Sequence, residues 1–447
     1  MKQIIRKLSS SQIVLLSFAL VIAVGTLLLW LPISTKTGHA VSFTTALFTA
    51  TTSTCVTGLV VVPTVSWSFF GQAVILLLIQ IGGLGVVAIF SGVFIALQKT
   101  IGLGNRLLLQ DAFNLNTLSG ISLFVKKVFL GTFLVEGAGA LLYMTVFVPE
   151  FGAKGVWISI FNAVSAFCNA GMDVIGENSL NNYVENGLVN FITMTLIVLG
   201  GLGYIVWWDI LRVSKTKKRI WRNLTLHSKL VISSTAFFLI LGTVCFLWFE
   251  YHNSKTIANM SFSKKLLASL FQSVTTRTAG FTTLPQENLT TSSSLLSIIL
   301  MFIGGSPVGT AGGVKTVTIA VLFLATFSTI KGKNDVCIFN RAIVKSTISK
   351  CVSIVFISFS IALISTILLS LTIERPLVDI MYEIFSATGT VGLSKNLTPF
   401  LSVAGRYVVI FTMFFGRIGP IALAVSFQFK KQNTNLIKEP TEEISVG

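Results

Sequence analysis

Charge is scarce in this chain. Of 447 residues only 11% are Asp, Glu, Lys or Arg, while 53% are hydrophobic, and the mean hydropathy is +0.84. So little charge cannot cover a water-facing surface, which excludes both a soluble globular domain and a disordered chain. Histidine is scarcer still: His39, His227 and His252 all fall in or near loops. With no Ser/Lys, paired-Asp or metal-ligand spacing inside the apolar runs, an intramembrane enzyme lacks its catalytic cluster. The five cysteines, odd in number and mostly within apolar segments, form no disulfide framework or metal pattern. Gly102-Leu103-Gly104-Asn105-Arg106 follows an apolar helix and lacks a third glycine, so it is not a dinucleotide fingerprint. The net charge of +17 comes mainly from short loops at the ends of apolar runs. Membrane topology and anionic lipid explain it, and nucleic acid is not an expected partner.

Apolar sequence, by contrast, is abundant and comes in lengths that matter. About 20 apolar residues cross a bilayer core of ~30 Å. Such runs stand at 13–31, 123–148, 230–249 and 351–373, with partner runs at 69–97, 188–210, 295–330 and 403–427. The expected fold is therefore an all-α integral membrane protein with eight transmembrane helices. Between the members of each pair lies a stretch too short to cross, at 43–54, 156–167, 266–276 and 377–388. Each reads as a re-entrant pore helix, whose return as extended chain is tolerated only where it is buried in protein or lines a wet cavity. Four tandem helix/pore-loop/helix units result, at 1–98, 99–218, 219–340 and 341–429, followed by a polar tail at 430–447. The first run has no small-residue cleavage site and reads as a retained helix. Bases such as Lys7, Arg106, Arg212, Arg222, Lys331 and Lys430 place both termini in the cytoplasm, and Glu150, Glu185 and Glu374 mark the outer loops.

Each re-entrant stretch runs into a short segment that ends on a glycine. The four segments are Cys55-Val56-Thr57-Gly58, Cys168-Asn169-Ala170-Gly171, Arg277-Thr278-Ala279-Gly280 and Gly389-Thr390-Val391-Gly392. Arranged about one axis in pseudo-fourfold fashion they present a ring of backbone carbonyls, the chemistry of a cation filter. Glycine permits positive φ and puts no side chain in the path. The candidate ligands are thus the carbonyls of Val56, Thr57 and Gly58, of Asn169, Ala170 and Gly171, of Thr278, Ala279 and Gly280, and of Thr390, Val391 and Gly392. The C-terminal ends of the short helices, partly negative, would favour a cation there. Asn169 and Arg277 break the symmetry, so a wider filter is expected. Arg277 is expected to turn outward, pair with Glu383 or Glu287 and brace the pore helices.

A second motif recurs in the partner runs: Gly82-Gly83-Leu84-Gly85, Gly200-Gly201-Leu202-Gly203, Gly304-Gly305-Ser306-Pro307 and Gly416-Arg417-Ile418-Gly419. Only the third continues as Val308-Gly309-Thr310-Ala311-Gly312-Gly313-Val314-Lys315. Glycine and proline at this density oppose a continuous helix, so a break at mid-membrane, below the filter, is expected there. Arg417 is a lone charge at that depth, which costs ~2.5–3.5 kcal/mol on the lenient insertion scale. It is expected to face the cavity, donate to the free carbonyls of the loop and repel cations, a latch and barrier in one. Lys315 is expected to snorkel to the cytoplasm, or else to add to the barrier. Glu136, also at membrane depth, reads as a hydrogen-bonded structural group or a contact at a subunit boundary. Asp173 and Glu177 are either an outer vestibule or solvated loop acids.

These motifs, spread from about Ser11 to Phe427, resemble the Trk/Ktr/HKT superfamily of potassium transporters, and most of all the membrane subunit of a bacterial Ktr system. The resemblance implies that the segment at 304–315 obstructs conduction and moves on activation, and that an arginine like Arg417 belongs there. It implies a potassium filter, because sodium-selective members carry serine where Gly58 stands. It further implies a homodimer in the bacterial plasma membrane with one pore per chain. A separate cytosolic ring of RCK/KTN type would carry the regulatory ATP or ADP, and potassium would be the transported ion. A coupled potassium/cation carrier, or a sodium-permeable one, would share these parts.

Overall fold

The structure, a computed structural model, describes residues 10–86, 88–89, 121–215, 220–333 and 335–419. The tail at 430–447 and the ends of the first and fourth partner runs lie outside the described residues. The first unit comprises α1 (Ser10–Trp30), α2 (Phe43–Thr54) and α3 (Phe69–Leu84), and the second α4 (Ile121–Phe151), α5 (Ala153–Cys168), α6 (Gly187–Leu202) and α7 (Tyr204–Ser214). The third has α8 (Leu226–Glu250), α9 (Phe262–Thr275), α10 (Thr291–Phe302) and α11 (Thr316–Ile330), and the fourth α12 (Lys345–Ser370), α13 (Leu377–Gly389) and α14 (Val403–Ile418). A two-stranded hairpin, Cys337–Ile338 with Arg341–Ala342, joins the last two units.

Local sequence sets the helix starts. Ser42, Ser68, Asn186, Thr225, Thr290 and Ser402 each cap the helix that follows by accepting a first-turn N–H, which satisfies donors that have no carbonyl partner. Among the described residues the first helices of the four units are long and apolar enough to cross a membrane, and the bent pair α6 and α7 makes a fifth candidate. Their outward faces carry large bare apolar side chains, with Leu141 66%, Trp248 78% and Phe356 71% exposed, as lipid-facing surface requires.

The second helices differ from expectation. The sequence predicts a break only in the third unit, where the helix indeed stops at Phe302 and restarts at Thr316. In the second unit the run 188–210 is no straight span: α6 and α7 meet at 94°. The cause is Gly203 at φ +87, and the matching glycines Gly85 and Gly419, both at φ +88, end α3 and α14 in the same way. Positive φ is outside the helical region and open chiefly to glycine, so the last glycine of the motif acts as a terminator in the first, second and fourth units.

The units pack in a closed cycle. The second helix of each touches the pore helix of the next: α3 on α5, α6 on α9, α10 on α13, and α14 on α2. Chain order is therefore ring order, and the four glycine segments are gathered at the centre.

Candidate functional site

The centre of the ring is built from backbone. At each of the four segment-ending glycines, the place a Cβ would take is occupied by a carbonyl of the next strand in the cycle. A Cβ on Gly58 would lie 2.3 Å from the Ala170 oxygen, on Gly171 2.5 Å from that of Ala279, on Gly280 2.3 Å from that of Val391, and on Gly392 2.3 Å from that of Thr57. All four glycines have positive φ, from +65 to +97. The four predicted strands are thus brought together as one interlocked ring, and glycine is required by close approach as much as by conformation.

Two residues before each glycine stand residues that the sequence reading named for their carbonyls without foreseeing their conformation. Val56, Asn169, Thr278 and Thr390 all have positive φ, between 51 and 68. For β-branched residues this is a strained conformation, costing on the order of 1–3 kcal/mol each, and it must be imposed by the surroundings. The pore helices supply the restraint. Thr57 and Gly58 donate N–H to the carbonyl and hydroxyl of Thr52, at 2.8 and 3.0 Å. Val391 and Gly392 do the same to Ser386, at 2.8 and 3.0 Å. In the second unit Ala170 N–H donates to the Ser165 carbonyl and Met172 N–H to its hydroxyl, at 2.8 and 3.1 Å. The third uses Thr275, whose hydroxyl donates to the Phe281 carbonyl at 2.6 Å. The signal was available as a hydroxyl residue six positions before the glycine in three units; the third has Val274 there and Thr275 next.

Beneath the ring, the segment between α10 and α11 is folded on itself and against the second unit. Gly304 N–H donates to Val314 O at 2.9 Å and Thr316 N–H to Gly305 O at 3.0 Å. Ser306 and Thr310 donate N–H to the carbonyls of Gly201 and Gly200, at 3.0 and 3.1 Å. Gly312 lies against the base of the fourth strand, where a Cβ would come 1.9 Å from Thr390 Oγ1, and Gly313 packs on Gly389. Thr310 is the most tied residue of the segment: its hydroxyl also donates to Phe167 O at 3.0 Å, and its carbonyl accepts from Arg417 at 2.6 Å.

Arg417 faces inward. Its other terminal nitrogen donates to Gly82 O at 2.6 Å and to Gly83 O at 3.5 Å. One guanidinium thereby ties the end of α14 to the end of α3 and to the loop, through charge-assisted hydrogen bonds to backbone carbonyls. Two other cations are not where the sequence places them. Lys315 does not reach for the cytoplasm; Nζ folds back to donate to Ala311 O at 2.6 Å, because an extended loop exposes carbonyls within its reach. Arg277, 7% exposed, pairs with neither acid. It points toward α8 and the loop, within 3.4 Å of Thr235 O and 3.5 Å of Gly304 O. Glu383 is instead saturated by the hydroxyls of Ser394 and Thr398, and Glu287 is exposed.

Glu136 is buried, accepting from Gln80 Nε2 at 3.1 Å with the Cys168 thiol at 3.8 Å, which fits the structural reading of this group. At the rim of the second strand Asp173 is 7% exposed while Glu177 is exposed. Burial pushes the Asp173 carboxyl up to about 6, against the pull of hydrogen bonds from Ser179 and from the Ile175 and Gly176 N–H groups.

A cycle of helix–loop–helix units clad in apolar side chains, with strained backbone segments gathered at its centre, defines an integral membrane protein of the transporter class. Residues 3–438 match the model of the family described as TrkH, cation transport protein. The chain is 37% identical to the potassium/sodium uptake protein NtpJ of Enterococcus hirae, over 100% of this chain and 99% of the relative. It is also 37% identical to the Ktr system potassium uptake protein B of Bacillus subtilis, over 98% and 96% of the two chains. Its fold matches the crystal structure of the potassium transporter TrkH from Vibrio parahaemolyticus, with TM-score 0.76 at 15% identity, over 94% of this chain and 85% of that one. The chain belongs to the TrkH family of cation transport proteins, a family of membrane ion transporters and not of enzymes.

Proposed function

We propose that this chain takes up potassium through a single pore at the centre of the ring. Four glycine strands form the filter, and the segment 304–315 with Arg417 forms the gate. The observation that carries the reading is the interlock of the glycines, in which the space of each strand's missing Cβ is filled by a carbonyl of the next strand. Such packing fixes carbonyl positions, and an ion that sheds its water needs fixed carbonyls. Gly58 and the names of the relatives support potassium as the ion. On this reading the chain has eight crossings and four re-entrant helices, with both termini in the cytoplasm. It works as a homodimer under a cytosolic nucleotide-binding ring that carries ATP or ADP. A second reading, sodium entry or sodium coupling through the same filter, is favoured by the E. hirae relative, whose name includes both ions.

The experiment is potassium uptake and growth in a bacterium stripped of its own potassium transporters, with the chain expressed alone or with a cytosolic ring subunit. Rescue that is lost on Gly280 substitution at normal membrane expression supports the filter. Absence of rescue by correctly inserted protein refutes potassium uptake, and sodium uptake in the same cells would favour the second reading.

A further inference from the structure

The loop has a second attachment, which leads from its middle to the helix that follows the bend of the second unit. The first residue of α7, Tyr204, donates its N–H to Val308 O in the middle of the loop at 3.0 Å. Gly203 lies so close that a Cβ there would come 2.4 Å from Pro307 O. The start of α7 is therefore locked to the loop by backbone alone. The bend itself is braced by Trp207, whose indole N–H reaches back to Leu199 O at 3.0 Å, and whose ring packs edge-on against Phe167 at 5.7 Å between centroids.

Farther along α7 stands Asp209, 6% exposed. Its Oδ2 accepts from both the N–H and the hydroxyl of Thr225, at 2.9 and 2.8 Å, and its Oδ1 from Arg212 at 2.6 Å. Thr225 is the N-cap of α8, accepting from Ser228 N–H at 3.2 Å. One carboxylate thus fastens α7 to the first helix of the third unit, the unit to which the loop belongs. Asp209 stands five helical steps beyond Tyr204, a rigid arm of about 7–8 Å. An arm that short and hydrogen-bonded has no slack: displacement at Asp209 must appear at the Tyr204–Val308 bond.

We infer that Asp209 is a positioning residue for the gate, holding α7 against α8 so that its first N–H keeps the loop in the blocking position. This rests on the loop being the gate. Beyond that reading, it assigns to the helix break at Gly203 the role of receptor for the loop, and to α7 that of the lever through which events at the cytoplasmic face reach the pore.

The test is rubidium influx into potassium-loaded proteoliposomes containing the full chain without any partner. Asp209→Asn places an amide NH2 or a weaker acceptor against two Thr225 donors and removes the ion pair. It is expected to raise influx at least threefold while rubidium/sodium competition is unchanged. Thr225→Ala should give a smaller rise, and Arg212→Gln, which leaves the Thr225 contacts intact, should give little. Combined with Arg417→Gln, Asp209→Asn should add nothing, since both free the same loop; a merely destabilised protein would not show this saturation. If Arg417→Gln raises influx and neither Asp209→Asn nor Thr225→Ala does, the lever is refuted and the gate stands. If none of the three raises it, the gate is refuted and the lever with it. Should Asp209→Asn fail to fold, Thr225→Ala decides between the same outcomes.

Discussion

Replacing Gly58 by alanine tests the filter at its most specific point. The new Cβ would lie 2.3 Å from Ala170 O, so that carbonyl or the strand itself must retreat by about 0.7 Å to reach the 3.0 Å limit of real Cβ contacts. The φ of +95 adds backbone strain on the order of 1–3 kcal/mol. A carbonyl contact to a full charge contributes about 1.5–3 kcal/mol net. Halving one such contact costs ~1–1.5 kcal/mol, close to a tenfold loss of preference for the ion that the ring fits. The carbonyl displaced belongs to the second strand, so the substitution in one unit damages the ligand of its neighbour. The assay is rubidium influx in proteoliposomes with sodium as competitor. Gly38→Ala is the matched control, with φ +71 but nothing within 4 Å of the added atom. The expected outcome is a roughly tenfold weaker preference over sodium for Gly58→Ala and none for Gly38→Ala. An unaltered sodium competition for folded Gly58→Ala protein would refute the interlocked filter, and an equal loss in both variants would reduce it to backbone strain.

Arg417→Gln removes the charge from two contacts at 2.6 Å and can keep at most one of them. A loss of ~2 kcal/mol moves the closed-to-open ratio about 30-fold, so influx without a partner should rise; a fall would count against the latch. Thr52→Val leaves the Gly58 N–H without its acceptor and should destabilise the protein by ~1–3 kcal/mol, read as a lower Tm in detergent, whereas Thr52→Ser should be neutral. The Asp173 carboxyl, raised to about 6 from the ordinary 3.8, binds its proton more tightly in the folded chain than in the unfolded one. Burying its charge therefore costs stability above pH 6, and that cost is relieved as the pH falls from 6 toward 3.8. Over the same first step the rim loses a negative charge, so uptake at low potassium should decline around pH 6, and Asp173→Asn should show the low level throughout; a pH profile shared by both would remove Asp173 from the pathway.

Much of the plan is local and was therefore legible. Long apolar runs give the first helices, hydroxyl caps give the starts, and the dense glycines of 304–313 stop a helix wherever the chain is placed. Arg417 could be sent inward from sequence because a lone guanidinium has no acceptable place in lipid. The glycine motifs of the other units were legible as repeats but not as breaks. A single glycine is compatible with a continuous transmembrane helix, and whether Gly203 takes positive φ depends on what meets it on the far side.

The contacts between units are settled only once the chain is folded. Arg417 meets Gly82 and Thr310 across 335 and 107 residues of chain, and no periodicity in sequence records which free carbonyl lies within reach. The sequence turns Arg277 outward to an acid because a cation beside a cation path is unfavourable. It lies instead near carbonyls of α8 and the loop, while Glu383 is filled by two hydroxyls, a choice made by distance. The filter illustrates the division. That four glycines follow four short helices can be read from the chain alone. Only the closed cycle, in which each unit packs on the next, decided that every one of those glycines would face a neighbour's carbonyl, because that contact exists only when all four units are in place.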